Sequence, residues 1–428
     1  MNSFWRIFLL ETRALVRSGA FVALLAASTV WMFCSGALLK SDGTPEGMRE
    51  MSLHYSTGGV AALLAVALLA SAAGTISGER AAKRLQLSLV RPVGRIVIAL
   101  GRMAALVAAG AAVLAVAAAI EILREENPRR LCRSELRPVL QSPRDEAAAL
   151  YESYMADPDT PEEVKKAGRG TVLRILERRA GDRYLTIRPG ETAQWLFRMP
   201  KRGAAAGTGV RLRFTNTYDL REEVKGALVL HLGDGTELGG AVSNMTRSVM
   251  EIPLASGDGI TPEAGGEARL EFRNDGTSAI MLRPRRDVEL LVPAGRFAGN
   301  VLRAWVQLTA MLSMLVAFGV FLGSALGRPV AMFTAMVVLA VSEISPSVIE
   351  QYPDPLESDP VDAIGLQLTR VMSVATRPVS SLEPLAELAR DACVEPAETA
   401  RAAFAGFFAA PLVFAMLSAL VMPRKSDV

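Results

Sequence analysis

Histidine is nearly absent from this 428-residue chain: only His54 and His231 occur, far apart and without Cys or carboxylate at ligand spacing. Metal centres and histidine general-base chemistry therefore have little to build on. The three cysteines, Cys34, Cys132 and Cys393, are too few for a disulfide-rich scaffold, and a Cys132–Cys393 disulfide and two unrelated thiols both fit the sequence. Net charge is only +3, and no basic cluster is interleaved with aromatics, so nucleic acid is not expected as a partner. The chain contains no Gly-x-x-x-x-Gly-Lys-Ser/Thr, no Gly-x-Ser-x-Gly and no His-Glu-x-x-His. No catalytic residue, cofactor site or metal site is expected in it.

What the chain has is apolar length. Half of its residues are apolar and mean hydropathy is +0.27, yet 21% are charged, too many for a protein made only of membrane helices. The charge must be segregated. Six apolar runs, at about 19–39, 57–76, 96–120, 301–326, 330–348 and 404–422, read as helices able to cross the roughly 30 Å hydrocarbon layer. The fifth is the weakest, because it carries Glu343 and ends in Ser345-Pro346-Ser347. Ahead of the first run, Asn2, Arg6, Arg13 and Arg17 share one helical face while Phe4, Trp5, Phe8 and Leu15 gather on the other, the pattern of a helix lying in the interface plane. A cleaved signal peptide fits this N-terminus poorly, since the apolar run is long and ends in Leu38-Leu39-Lys40 without a small-residue site.

Between the second and third runs lies a basic amphipathic insert, residues 77–95, in which Arg80, Lys83, Arg84, Arg91 and Arg95 are opposed only by Glu79. An excess of Lys and Arg in a short loop marks the cytoplasmic side. With six spans, the N-terminus, the insert, the link carrying Arg328 and the tail Arg424-Lys425 all fall on that side. The loop 40–56, the region 121–300 and the acidic loop 349–403 then lie outside, although Arg124, Arg129, Arg130 and Arg133 argue the other way. The expected organisation is 1–122 with three spans and the insert, 123–298 as an extracytoplasmic domain, and 299–428 with three more spans. The expected fold is thus an α-helical protein of six transmembrane helices carrying an inserted α+β domain.

Inside that domain, Ser142-Pro143 and Thr160-Pro161-Glu162-Glu163 signal helix starts, Gly181 a helix end, and the stretch to about residue 180 reads as helical. Beyond it the period becomes two: Val210, Leu212 and Phe214, then Leu228, Leu230 and Leu232, then Ala268, Leu270 and Phe272 alternate with other residues. Turn pairs such as Pro189-Gly190 and Asp234-Gly235 punctuate about eight short strands, which a β-sandwich would accommodate. Within the spans, Gly319, Gly323 and Gly327 repeat every four residues, a spacing that serves either a permease dimer interface or packing within one subunit. Glu343 reads either as a pathway residue or as one near the outer surface.

Gly78-Glu79-Arg80-x-x-Lys83-Arg84-Leu85-x-Leu87-x-Leu89-x-Arg91-Pro92-Val93-x-Arg95, set between two spans and behind an interfacial helix, resembles the permease subunits of the type 2 class of ABC exporters. The resemblance covers residues 1–122 by motif and 300–422 by order of spans. It implies that Glu79, Arg80, Lys83, Arg84, Leu85, Leu87, Arg91, Pro92 and Arg95 form a cytoplasmic coupling element against a separate ATPase subunit, which would bind the ATP. It also implies a homodimer or heterodimer of permeases in contact with membrane lipid, in the cell's inner membrane with both termini cytoplasmic. Lys83-Arg84 stands where many relatives have Gly-Thr. For the basic residues alone, a plain topology signal that also meets anionic lipid is the competing reading. For the whole chain it is a membrane-anchored envelope scaffold or sensor, whose β-domain binds a glycan, lipid or protein through Trp195, Phe197 and Tyr184 unless these are core.

Overall fold

The computed structural model describes residues 3–38, 45–81, 94–124, 131–158, 160, 164–165, 169–181, 183–199, 208–215, 222–233, 235, 237–246, 249–254, 266–351, 383–390 and 392–422. It divides into two compact units: 1–130 with 296–428, and 131–295.

The first unit is helical. Its elements are α1 (Ser3–Arg17), α2 (Ala20–Leu38), α3 (Pro45–Ala81), α4 (Arg95–Arg124), α7 (Phe297–Ala325), α8 (Arg328–Gln351), α9 (Glu383–Ala389), α10 (Pro396–Phe404), a π-helical turn (Ala405–Ala409) and α11 (Ala410–Val421). Among the described residues, four helices are long and apolar enough to cross a membrane: Met51–Arg80, Arg95–Leu123, Phe297–Ala325 and Pro396–Val421. A fifth counts only if α1 and α2 form one bent span. They meet at 63° across Gly19, whose φ of +64° suits a residue without Cβ and ends α1. The run expected as the fifth span falls in α8, of which Arg328–Val341 is an apolar helical stretch among the described residues. The expected loop 40–56 is corrected: α3 begins at Pro45, because Pro at the first helical position and the Glu46 that follows favour an early start.

Helix α7 is the centre of this unit. Its apolar window is 78% buried, against 22% for the last span, and it packs on α3, α4, α8, α9, α10 and α11. Leu64, Leu69 and Ile76 of α3, Met103 and Leu114 of α4, and Leu312, Val316 and Val320 of α7 fill one core. Two glycines of the four-residue stripe explain how closely α7 approaches α3. A Cβ on Gly319 would lie 2.8 Å from Ala72 Cβ, and one on Gly323 would enter the shell of the Ala73 carbonyl oxygen. Gly327, beyond the end of α7, has open space around it. Gly319 and Gly323 therefore serve a contact within the chain.

The second unit holds β1 (Leu131–Leu136), α5 (Pro143–Ala156), α6 (Arg169–Gly181), and strands β2 (Leu185–Ile187), β3 (Thr192–Arg198), β4 (Gly209–Arg213), β5 (Glu223–His231), β6 (Glu237–Met245), β7 (Val249–Pro253), β8 (Glu267–Asn274), β9 (Ile280–Leu282) and β10 (Val288–Arg296). Ser142 caps α5 by accepting a hydrogen bond from the Arg144 amide at 3.2 Å, with Pro143 at the first helical position. Strand β1 was not expected so early. Its sequence Leu-Cys-Arg-Ser-Glu-Leu buries Cys132 fully but lacks a clean alternation.

The strands form sheets in the orders β1-β10-β4-β7 and β3-β8-β5-β6, with β2 and β9 as a separate pair. Register places Trp195 opposite Leu270 and Leu270 opposite Leu230, so alternate side chains of β3, β8 and β5 face the same way. They meet Val210, Leu212, Val288 and Leu290 of the other sheet in one core. Phe214 and Phe272, rings 5.0 Å apart, lie within it. Trp195 and Phe197 are buried there, whereas Tyr184 is exposed beneath the Arg283 guanidinium, which lies 5.4 Å from its ring centroid.

The opposite face of the first sheet carries a charge ladder. Arg211 of β4 faces Glu289 of β10 and Glu251 of β7 in register, at 3.1 and 2.7 Å, and also pairs with Glu135 of β1. Burial pushes the guanidinium pKa down, but Glu251 and then Glu135 outweigh it and hold the value above the usual arginine range. Glu289 is pushed up, first by burial and next by the negative charge of Glu135, with Arg211 opposing. A carboxyl whose folded pKa is raised contributes stability below its unfolded value and loses it as pH rises through the folded value. Glu289→Gln is therefore expected to gain stability relative to the parent between mildly acidic and neutral pH. Thermal midpoints of both full-length proteins across that range test this; a constant difference would sink it.

Candidate functional site

Much of the expected coupling element, Lys83, Arg84, Leu85, Leu87, Arg91 and Pro92, lies outside the described residues. Its two flanks are described, and each is fixed to a distant part of the chain. Glu79 and Arg80 occupy the last turn of α3, and Arg95 opens α4.

Arg80 donates through Nη2 to the carbonyl of Ser324, in the last turn of α7. Arg95 donates through Nη1 to the carbonyls of Ala419 and Met422 at 3.2 and 3.0 Å, at the end of α11. The last carbonyls of a helix lack intrahelical partners and carry the negative end of its dipole, so a guanidinium satisfies both needs. These two arginines thus act as C-terminal caps for helices from the far half of the sequence. Charge counting finds such residues but assigns them to topology.

Glu79 pairs with Arg102 of α4. Glu11 of α1 approaches the same guanidinium, its Oε1 3.1 Å from Nε but outside hydrogen-bond geometry. Arg102 keeps only 4% of its side-chain surface, against 28% for Glu11 and 31% for Glu79. A cation this deep is tolerable because two carboxylates surround it. The arrangement joins α1, the end of α3 and the start of α4 through one side chain. Glu11 was overlooked in the sequence, and its signal is plain afterwards: a lone acid on the polar face of a basic amphipathic helix.

Two other polar clusters stand among the apolar helices. Ser56 and Thr57 of α3 donate to Glu121 Oε1 of α4 at 3.0 and 3.4 Å. Asn300 of α7, fully buried, donates to the Ala392 carbonyl at 2.7 Å and accepts from the Val394 amide at 2.8 Å, holding the segment before α10. Glu343 lies on the helical backbone of α8, with its side chain outside the described residues. Among the described residues no group of three or more His, Cys, Asp or Glu is placed to hold a metal.

Among the described residues, charged side chains at the two flanks of the insert tie helix ends together. Compared with protein families, curated proteins and solved structures, the chain has no match.

Proposed function

We propose that this chain is the membrane-spanning permease subunit of an ATP-driven export complex, driven through residues 77–95 by a separate ATPase subunit. In this reading six segments cross the inner membrane, both termini and the insert face the cytoplasm, and the β-rich unit lies outside. The observation that carries it is the bracing of the insert's flanks: Arg80 on α7, Arg95 on α11, and Glu79 on Arg102 of α4. A push on a segment so fixed passes to three helix ends at once, and packed helices respond by moving between discrete arrangements rather than by yielding. A loop that served only to mark topology would need no such attachment.

The full-length chain is expected to co-purify with an ATP-hydrolysing protein. Arg84→Glu with Arg91→Glu should reduce that yield at least about tenfold, the scale of reversed charge at a polar contact. Arg95 is left intact in this experiment because it caps α11. Unchanged co-purification after the double reversal would transfer support to the anchored scaffold, whose ligand would then be sought on the β-rich unit.

A further inference from the structure

Beside the Glu11–Arg102 pair an open pocket of about 260 Å³ lies between α1, α3, α4 and the start of α8. Its lining includes Arg328, exposed and without an ion pair or hydrogen bond among the described residues. On the α3 floor are Ser71 and Thr75, whose hydroxyls donate to the Ala67 and Ala72 carbonyls at 2.7 Å each, leaving their oxygens to the pocket as acceptors. The lining also holds the Glu11 carboxylate, whose one cation among the described residues, Arg102, is shared with Glu79.

The pocket thus offers one uncommitted cation together with a set of acceptors, with Leu15 and Leu106 as apolar lining. Gly74 keeps the floor open beneath Arg328, whose Nε would stand 3.5 Å from a Cβ at that position. Buried Arg102 is already engaged by two carboxylates, so the unspent positive charge is that of Arg328.

We infer that this pocket binds the zwitterionic headgroup of an aminophospholipid, with phosphate on Arg328, primary ammonium on Glu11, Ser71 and Thr75, and acyl chains along Leu15 and Leu106. A guanidinium matches phosphate oxygens in charge and geometry, and a primary ammonium supplies three donors to a carboxylate and two hydroxyl oxygens. A purely anionic headgroup would satisfy Arg328 but would meet the Glu11 carboxylate in the same pocket. A quaternary ammonium would bring charge without donors. Pockets between membrane helices at headgroup level are ordinary lipid sites when such charges line them. The inference rests on the helices lying in a bilayer, and not on the pairing with an ATPase.

The test is competitive lipid retention by the full-length protein, delipidated in detergent and exposed to equal amounts of phosphatidylethanolamine, phosphatidylglycerol and phosphatidylcholine. Native mass spectrometry then counts lipids per chain. Phosphatidylethanolamine is expected to be retained in preference to both others. Arg328→Gln, which breaks no internal bond, should lower retention about fivefold, the worth of one cation near a membrane surface. Gly74→Leu, which fills the floor and removes no charge, should do the same. Glu11→Gln should abolish the distinction between ethanolamine and choline. Soluble phosphoethanolamine competing where glycerol phosphate does not would assign recognition to the headgroup, and failure of both to compete would assign it to the intact lipid. Equal retention of all three lipids, or full retention by Arg328→Gln, would overturn the site. A chain that still co-purifies with an ATPase but lacks headgroup preference would lose this inference alone.

Discussion

Gly323→Val is expected to lower the stability of the helical unit by about 3 kcal/mol, the upper part of the range for overpacking a tight contact. The cause is local. A Cβ at Gly323 meets the Ala73 carbonyl oxygen and lies 3.0 Å from the Ala73 carbonyl carbon, all backbone atoms of α3 that cannot rotate away. Relief requires separating α7 from α3, and with them the packing of Leu69, Ala72 and Val316. In a bilayer such contacts are held by close packing rather than by expulsion of water, so lost proximity is lost stability. Gly327→Val, only four residues along the same stripe, has open space and should stay within about 0.5 kcal/mol. Thermal midpoints by fluorescence-detected size exclusion decide the matter, and equal falls for the two variants would show that backbone approach is not what the stripe provides.

Arg102→Met is the second large effect expected. It removes the one cation placed between Glu11 and Glu79, leaving two carboxylates in a poorly solvated site. Breaking a fully buried pair costs about 3–5 kcal/mol; because these carboxylates keep 28% and 31% of their surface, about 2–3 kcal/mol is expected here. Proteolysis near Ser18-Gly19 should also quicken as α1 loosens from α4. Adding Glu11→Gln and Glu79→Gln removes the stranded charges and should recover much of the loss, which a mere cavity would not allow. If the triple variant is no more stable than Arg102→Met, the ion cluster does not hold α1.

Both effects arise from contacts between residues far apart in sequence, and this separates what could be read from the chain alone. Apolar length announced α3, α4, α7 and the last span, because a helix in lipid must be apolar over its whole crossing. Strict alternation announced β4, β5 and β8, where Leu212, Leu230 and Leu270 point into one core. Strand β1 escaped because its alternation is broken and its neighbour, β10, lies some 150 residues away. The four-residue glycine stripe was visible; which helix it would meet was not, since spacing describes one surface and says nothing of its partner. The site divides in the same way. Arg80 and Arg95 were singled out for their charge, but their acceptors are backbone carbonyls of Ser324, Ala419 and Met422, groups with no sequence signature. Glu11 and Arg102 are two lone charges until the fold sets them 3.1 Å apart.

The helical unit is discontinuous in the chain, its halves separated by residues 131–295. On a ribosome this becomes a delay. Helix α3 is complete at Ala81, but α7, against which its Leu69, Ala72 and Ala73 pack, begins only at Phe297. At roughly 5–20 residues per second, the roughly 215 intervening residues take about 10–40 s to synthesise. For that interval the most closely packed face of α3 has only α4 and α2 beside it, while an entire β-rich unit is made. Inside that unit β1 and β10, its first and last strands, are neighbours in one sheet, so that sheet is completed only when the residues just before α7 have been made. Packing of α3 on α7 therefore waits until the last strand of that sheet has been made.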